Sequence, residues 1–310
     1  MTDANQDAPE PLGATGYLAP EGFVDELVAE LGEVSSVHGR LVFAPGPPRP
    51  AAWCHNIWID PVRIPIASIK DGARRLKAIQ RNWWPYAAGH FRRTELIQAQ
   101  LPHVSAKPIV FPQPLPTAPL GSWTLLDPDT MVASACCTSP WPNGEPQFVE
   151  DRQAPPNRAY LKLWEAFSVT GRWPRPGERC LDMGASPGGW TWVLASLGAD
   201  VTAVDKAPLD PRIAAMPNVR VRQESAFGLD PHDVGLVDWL CWDVICYPQR
   251  LRQLLDRWLA ADTVRNLICT IKFQGPTDPA VVRDFQQIPG STVRHLSQNK
   301  HELTWMRLTE

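Results

Sequence analysis

Leu181-Asp182-Met183-Gly184-Ala185-Ser186-Pro187-Gly188-Gly189-Trp190 sets a glycine-rich turn between a short apolar run and an amphipathic stretch. Residues 180–183 read as a buried strand. Gly184 permits a sharp turn, and Gly188 and Gly189 allow close backbone approach at the start of a helix over 190–197. A second strand, 201–205, then ends in an acid. Asp205 follows Asp182 by 23 positions, about the ~20-residue offset at which a carboxylate meets the hydroxyls of a cofactor ribose.

The dinucleotide fingerprint G-x-G-x-x-G is missing. Residues 184–189 carry glycine at the wrong positions, and Pro187 stands where a pyrophosphate would need a free N–H. The pattern therefore argues for a cofactor without phosphates, and S-adenosyl-L-methionine fits. Its adenosine would use the acid after the second strand, and its aminoacyl end and sulfonium would use carboxyl and backbone oxygens near the first turn. A purely structural strand-to-helix turn is the competing reading.

Working outward, strands are expected at 219–222, 237–243 and 266–272, helices at 248–260 and 278–287, and a closing pair at 291–296 and 303–308. This order predicts a doubly wound α/β sheet with an antiparallel end, its cofactor site over the first, second and fourth strands. Asp243 and Lys272 then fall at the carboxyl ends of parallel strands, where ligands bind in open sheets. Glu302 precedes the last strand. Lys162 belongs to a helix over 158–167, with Tyr160, Leu163, Trp164 and Phe167 on its apolar side. Singly, each charged residue is a solvated terminus; as a set beside the glycine turn, they form a candidate site.

Five stretches in order carry a family resemblance: Asn157 to Phe167 (NRAYLKLWEAF), Asp182 to Trp190, Val237 to Asp243 (VDWLCWD), Cys269-Thr270-Ile271-Lys272 and His301-Glu302-Leu303-Thr304. Residues 155–310 resemble the FtsJ-like ribose 2'-O-methyltransferases, and most closely the bacterial 23S ribosomal RNA methyltransferase M family. The resemblance implies the class I fold of S-adenosyl-L-methionine-dependent methyltransferases. It also implies a catalytic tetrad at Lys162, Asp243, Lys272 and Glu302, and a cytidine of the peptidyl-transferase region as target. Cofactor contacts are expected from Asp182, Gly184, Ser186, Pro187, Gly188, Gly189, Trp190, Asp205 and Asp243. Glu224 is expected at the adenine amino group, with a solvated loop acid as the alternative.

The chemistry explains these residue types. A ribose 2'-hydroxyl is a very weak acid and must lose its proton as the new bond forms. A lysine accepts a proton only as the free amine, a form that a nearby cation favours and nearby carboxylates oppose. Lys272 is assigned as the base, with the other three orienting it in one coupled group.

The chain has 310 residues with 44% hydrophobic content, which suggests two domains. A disordered tail is expected over 1–14, a smaller α+β domain over 15–150 and the methyltransferase domain over 151–310, with residues 140–156 as linker. The amino-terminal domain resembles a shortened version of the family's ferredoxin-like and RNA-binding THUMP modules, chiefly over 17–30 and 125–138. No run of about 18 apolar residues and no basic-then-apolar leader is visible, so a cytoplasmic protein without a membrane partner is expected. The seven cysteines read as reduced thiols, and neither Cys136-Cys137 nor Cys54-His55 has zinc spacing, so no metal is expected.

Net charge is -3, but the charge is segregated. Residues 1–33 hold eight acids and no lysine or arginine, whereas 63–107 hold nine basic residues against two acids. Arg74, Arg75, Arg81, Arg92 and Arg93, interleaved with Trp83 and Trp84, compose an RNA-binding segment of cations for phosphates and rings for bases. A solvated helix face beside a core tryptophan pair is the alternative. RNA, ribosomal by resemblance, is the expected partner, and a monomer the expected state. Two other functions stay open: a small-molecule O-methyltransferase on the same fold, and a noncatalytic RNA-binding protein of ribosome assembly.

Overall fold

The five strand-like runs around the glycine turn lie side by side and parallel in the computed structural model, which describes residues 8–309. From edge to edge the sheet runs Val219–Gln223, Asp200–Asp205, Arg179–Met183, Val237–Trp242, Val264–Lys272, Glu302–Leu308 and Ser291–Arg294. Glu302–Leu308 is antiparallel to both of its neighbours. Strand order reverses between Arg179–Met183 and Val237–Trp242, which opens a crevice at their carboxyl ends. Trp239 through Trp242 are all buried, the unbroken apolar run of a central parallel strand covered on both faces.

Helices Tyr160–Thr170 and Gly189–Ser196 pack on each other, as do Pro248–Ala261 and Pro279–Gln286. The first stops where Gly171 takes a left-handed φ of 65°. It is buried nearly all round, with Leu161, Glu165, Ala166 and Ser168 inside as well as the expected apolar side. Buried surroundings on that scale leave its charged residues few places to point.

The unit that contains this sheet also takes residues 109–114, ahead of 148–309. Phe111 stacks on Trp164 at 4.9 Å between centroids and lies 6.1 Å from Trp173. The Val149 amide donates to the Ile109 carbonyl at 2.9 Å. The expected linker at 140–156 is corrected accordingly: Pro142–Gly144 is a helical turn, and Trp141 and Phe148 are buried. Aromatic residues inside a proline-rich stretch gained more from burial than its composition suggested.

The other unit, 8–108 with 115–147, is built on two five-stranded sheets. One sheet is ordered Glu10–Pro11, Val62–Pro65, Thr130–Ser134, Gly121–Asp127 and Trp83–Pro85. The second is ordered Cys136–Cys137, Asn56–Ile59, Ala14–Leu18, Leu41–Pro45 and Ser36–His38. Met131 and Ala133 join the core that includes Leu76 and Ile97 of helices Ile69–Ile79 and Phe91–Gln98, while Val132 joins Leu18, Phe43 and Trp58 of the second sheet. The alternation is that of a strand buried on both sides. The tail expected over 1–14 is corrected from residue 10, because Glu10–Pro11 pairs with Val62–Pro65; residues 1–7 lie outside the described residues. Among the described residues, no helix is long and apolar enough to cross a membrane.

The basic segment divides. Trp83 is fully buried, and its indole donates to the Leu76 carbonyl at 2.9 Å and the Gln80 carbonyl at 3.0 Å. It is a core residue, so its expected stacking on RNA bases is corrected. Arg75 is only 13% exposed and ion-paired to Asp71 at 2.9 Å. Arg74, Arg81 and Arg92 are exposed, and Trp84 and Arg93 are half-buried.

Phe111→Ala is expected to destabilise the sheet-bearing unit by about 1–3 kcal/mol, from lost burial and ring stacking. Denaturant unfolding of the full chain measures this; an unchanged transition would mean that the 109–114 segment contributes nothing to that core.

Candidate active site

Four elements deliver one charged residue each to the crevice. Asp243 directly follows Val237–Trp242, Lys272 ends Val264–Lys272, and Glu302 begins Glu302–Leu308 opposite Lys272 in register. Lys162 arrives on the first turn of Tyr160–Thr170. Its Nζ donates to Asp243 Oδ2 at 2.9 Å, Asp243 Oδ1 at 3.2 Å and Glu302 Oε1 at 3.0 Å. Lys272 Nζ lies 2.8 Å from Asp243 Oδ1 and donates to the Asp243 main-chain oxygen at 2.9 Å. The four side chains are 11–18% exposed. Two cations balance two anions, the condition on which buried charge is tolerated.

Burial disfavours charge on Lys162, but Asp243 and Glu302 outweigh it and hold the pKa above the ordinary lysine value. Burial likewise disfavours the Asp243 carboxylate, and Lys162 and Lys272 outweigh it, keeping the carboxyl below its usual range. Lys162 is therefore a fixed cation at neutral pH. Of the two opposing influences expected on the lysine pair, the carboxylates prevail at Lys162, whose nearest partners they are.

Beside these residues lies a cavity of about 400 Å³. Of the positions expected around a cofactor, Gly184, Ser186, Gly189, Trp190, Asp205 and Asp243 line it, together with Lys272. Asp182, Pro187, Gly188 and Glu224 do not. Asp182 is fully buried and accepts from Thr191 Oγ1 at 2.6 Å, bracing strand against helix. Pro187 and Gly188 shape the turn: the Pro187 carbonyl accepts from the Asp210 amide at 2.9 Å, and Gly188 has a φ of 119°. Glu224 is exposed and ion-paired with Arg222 two residues away. Lys162 is absent from the lining, so of the two lysines only Lys272 reaches the cavity.

The wall also includes Asn157, Val244 and Ile245, which sequence reasoning did not select. Asn157 carried a faint signal as a polar residue just before a helix. Its Oδ1 accepts from the Ala159 amide at 3.1 Å, and a Cβ on Gly189 would lie 2.2 Å from that oxygen. A Cβ on Gly184, where φ is 81°, would lie 2.5 Å from Val244 Cγ2. Gly184 is therefore a steric requirement of the cavity wall, with the Val244 backbone 3.1 Å away, whereas a side chain at Gly189 would displace Asn157.

These residues fit S-adenosyl-L-methionine. The Asp205 carboxylate accepts from the Ser186 amide at 3.0 Å and the Ala207 amide at 2.9 Å, which orients it and leaves lone pairs for a hydroxyl pair. The Trp190 indole is pinned to the Ala159 carbonyl at 2.9 Å, a fixed apolar wall. Among the described residues, Asp182 Oδ1 is buried without a hydrogen-bond partner.

Residues 155–266 match the family model of the FtsJ-like methyltransferases. Ribosomal RNA large subunit methyltransferase M of Halorhodospira halophila is 41% identical over 135 residues, 43% of this chain and 39% of that protein. The protein of the same name from Aromatoleum aromaticum is 37% identical over 159 residues, 48% and 42% of the respective chains. The chain thus matches about two fifths of the length of these curated relatives. TrmN of Thermus thermophilus aligns over 94% of this chain and 98% of its own, at 14% identity and a TM-score of 0.37.

Burial pushes the Asp182 carboxyl up to about 7; the Thr191 hydrogen bond opposes the rise, and the charges of Asp243 and Asp205 add to it. A raised carboxyl pKa favours the folded state most below the unfolded value of about 4 and loses that contribution as pH climbs to about 7. Asp182→Asn, which keeps an acceptor for Thr191 but cannot ionise, is expected to flatten the decline of stability over that interval. Urea denaturation at a series of pH values checks it, and an equal decline in both proteins would contradict the shift.

Proposed function

We propose, from the premise that residues 155–266 belong to the FtsJ-like methyltransferase family, that this protein transfers a methyl group from S-adenosyl-L-methionine to a ribose 2'-hydroxyl of RNA. One observation carries the reading. Asp243 grips both lysines, yet only Lys272 also lines the cavity that fits the cofactor. When bound, S-adenosyl-L-methionine supplies an activated methyl group on its sulfonium. Asp205 and Trp190 would hold its adenosine end, and the Gly184 turn would hold the end nearest Asp243.

Lys272 Nζ takes the proton of the acceptor hydroxyl as the free amine. Two acceptors of Asp243, one carboxylate and one main-chain oxygen, fix the direction of that nitrogen. Lys162 remains charged between Asp243 and Glu302 and keeps the carboxylate in place while protonation at Lys272 changes. Alignment of the hydroxyl by this rigid group supplies much of the rate.

The substrate is large-subunit ribosomal RNA, in keeping with the names of the relatives, and by resemblance a cytidine of the peptidyl-transferase region. Arg74, Arg81 and Arg92, exposed on the amino-terminal unit, meet its phosphates. Mapping 2'-O-methyl groups in ribosomal RNA from cells with and without the protein tests this assignment, and identical maps would remove it.

Lys272→Ala is expected to lower methyl transfer by about 10²- to 10⁴-fold, the usual loss with a general base, while calorimetric affinity for S-adenosyl-L-methionine stays within about threefold. Undiminished transfer by the variant would rule out the tetrad mechanism.

RNA affinity is expected to fall with salt, and replacing Arg74, Arg81 or Arg92 by Ala to flatten the log–log slope by about one unit or less each. Arg75→Ala, at an inward-held position, should leave the slope unchanged. If all four variants keep the wild-type slope, this face is simply solvated.

A further inference from the structure

One turn along the helix from Lys162, Glu165 is 1% exposed. Its carboxylate accepts from the Ser297 amide at 2.7 Å, the Ser297 hydroxyl at 2.9 Å and the Gln298 amide at 3.0 Å. These donors lie in the loop that joins Ser291–Arg294 to Glu302–Leu308. The loop is closed on itself as well. Asn299 Nδ2 donates to the Glu302 carbonyl at 3.2 Å and to Thr304 Oγ1 at 3.1 Å, and the Asn299 amide donates to the Leu296 carbonyl at 2.9 Å.

We propose that Glu165 is a positioning residue of the active site: by clamping Ser297 and Gln298, it holds Glu302 against Lys162 and so keeps Asp243 Oδ1 within reach of Lys272. The geometry makes each link explicit. The helix that carries Lys162 and the loop that delivers Glu302 come from opposite ends of the unit in sequence, and Glu165 ties them directly. Glu302 Oε1 takes the Lys162 ammonium at 3.0 Å. Asp243 Oδ1 is shared, 3.2 Å from Lys162 and 2.8 Å from Lys272. A Lys162 that loses Glu302 turns fully to Asp243 and competes with Lys272 for that oxygen.

The residue type itself calls for such a role. Neighbouring positions on this helix are apolar and buried, and a leucine at 165 would pack without the desolvation penalty of a buried carboxylate. A carboxylate alone among side chains of this size accepts three donors at once. Burial pushes the Glu165 carboxyl up to about 7, against the pull of Ser297, Gln298 and Arg294, so its ionised form persists here only through those donors.

The catalytic consequence rests on the proposed methyl transfer; the clamp does not, and the test separates the two. Glu165→Gln keeps shape but turns an amide NH₂ toward N–H donors. In full-length protein with ¹³C-labelled lysine, the Lys162 Cε signal is expected to move in Glu165→Gln as it does in Glu302→Gln, and to move no further in the double variant. Methyl transfer should show kcat lower by about tenfold or more in Glu165→Gln, with KM for cofactor and RNA within about twofold. The double variant should be no slower than Glu302→Gln alone. Ser297→Ala, which keeps both amides and folds with less risk, should shift the same signal in the same direction by less. An unmoved Lys162 signal in Glu165→Gln and Ser297→Ala, or kcat losses that multiply in the double variant, would overturn the proposal. Should wild-type protein transfer no methyl group to RNA, the functional reading falls while the Lys162 signal still decides the clamp.

Discussion

The Asp243 carboxylate must satisfy two ammonium groups at once in a place where water reaches little of it, and the sheet-bearing unit is arranged around that requirement. A carboxylate with 14% of its side chain exposed is costly to hold ionised unless its oxygens are matched to donors. Lys162 and Lys272 match them from opposite elements, a helix and a strand end. The pair would leave an excess cation without Glu302, whose carboxylate restores neutrality. Each member is therefore conditional on the others, and an apolar replacement at any one leaves the cluster with an unbalanced charge. Strand order is what makes the arrangement possible: only at the reversal between Arg179–Met183 and Val237–Trp242 do the strand ends part enough for side chains and a ligand to share the space.

Geometry on the cofactor side follows from sterics rather than charge. Gly184 and Gly189 are defined by what a methyl group would strike, Val244 on one side and Asn157 on the other. Val244 directly follows Asp243, so the close approach at Gly184 also draws Asp243 toward the turn. The Asp243 amide donates to the Met183 carbonyl at 3.3 Å, one residue before Gly184. Cavity and charged cluster are thus two faces of one backbone contact. Beneath it, Asp182 links the strand to Thr191 of the following helix and fixes the angle at which that helix leaves the sheet.

The amino-terminal unit obeys a different economy of residues. Its tryptophans serve two buried interfaces, Trp83 and Trp123 under the helices and Trp58 between the sheets. Large flat side chains suit narrow layers, where each contributes more buried area than an aliphatic residue. Arg74, Arg75, Arg92 and Arg93 sit on the helices that cover this core. Arg74 and Arg92 are outside, whereas Arg75 is only 13% exposed and held against Asp71. The position of each arginine on its helix therefore decides whether it is available to a partner.

Local sequence was sufficient for the order of the strands and the longer helices from residue 180 onward, but not for the short helices Pro211–Ala214 and Pro231–Val234. Periodicity, glycine positions and the acid after the second strand are all short-range signals, and the parallel strands are apolar because both faces are covered. The same local reading put Asp243, Lys272 and Glu302 at strand ends, and therefore at one edge of the sheet. Short-range signals were weaker in the first unit. Strands such as Val62–Pro65 and Trp83–Pro85 are three or four residues long and bounded by proline, so their pairing rests on distant partners. Only the tertiary structure decided that Trp83 lies inside, that residues 109–114 serve the second core, and that Lys162 is a charged brace while Lys272 faces the cavity. It alone revealed Glu165, which reads as one more polar residue on an apolar helix until the loop at 297–298 closes over it. The reason is the range of the forces. Backbone conformation responds to neighbours a few positions away, whereas burial, charge pairing and steric fit depend on residues that meet only after the chain has folded.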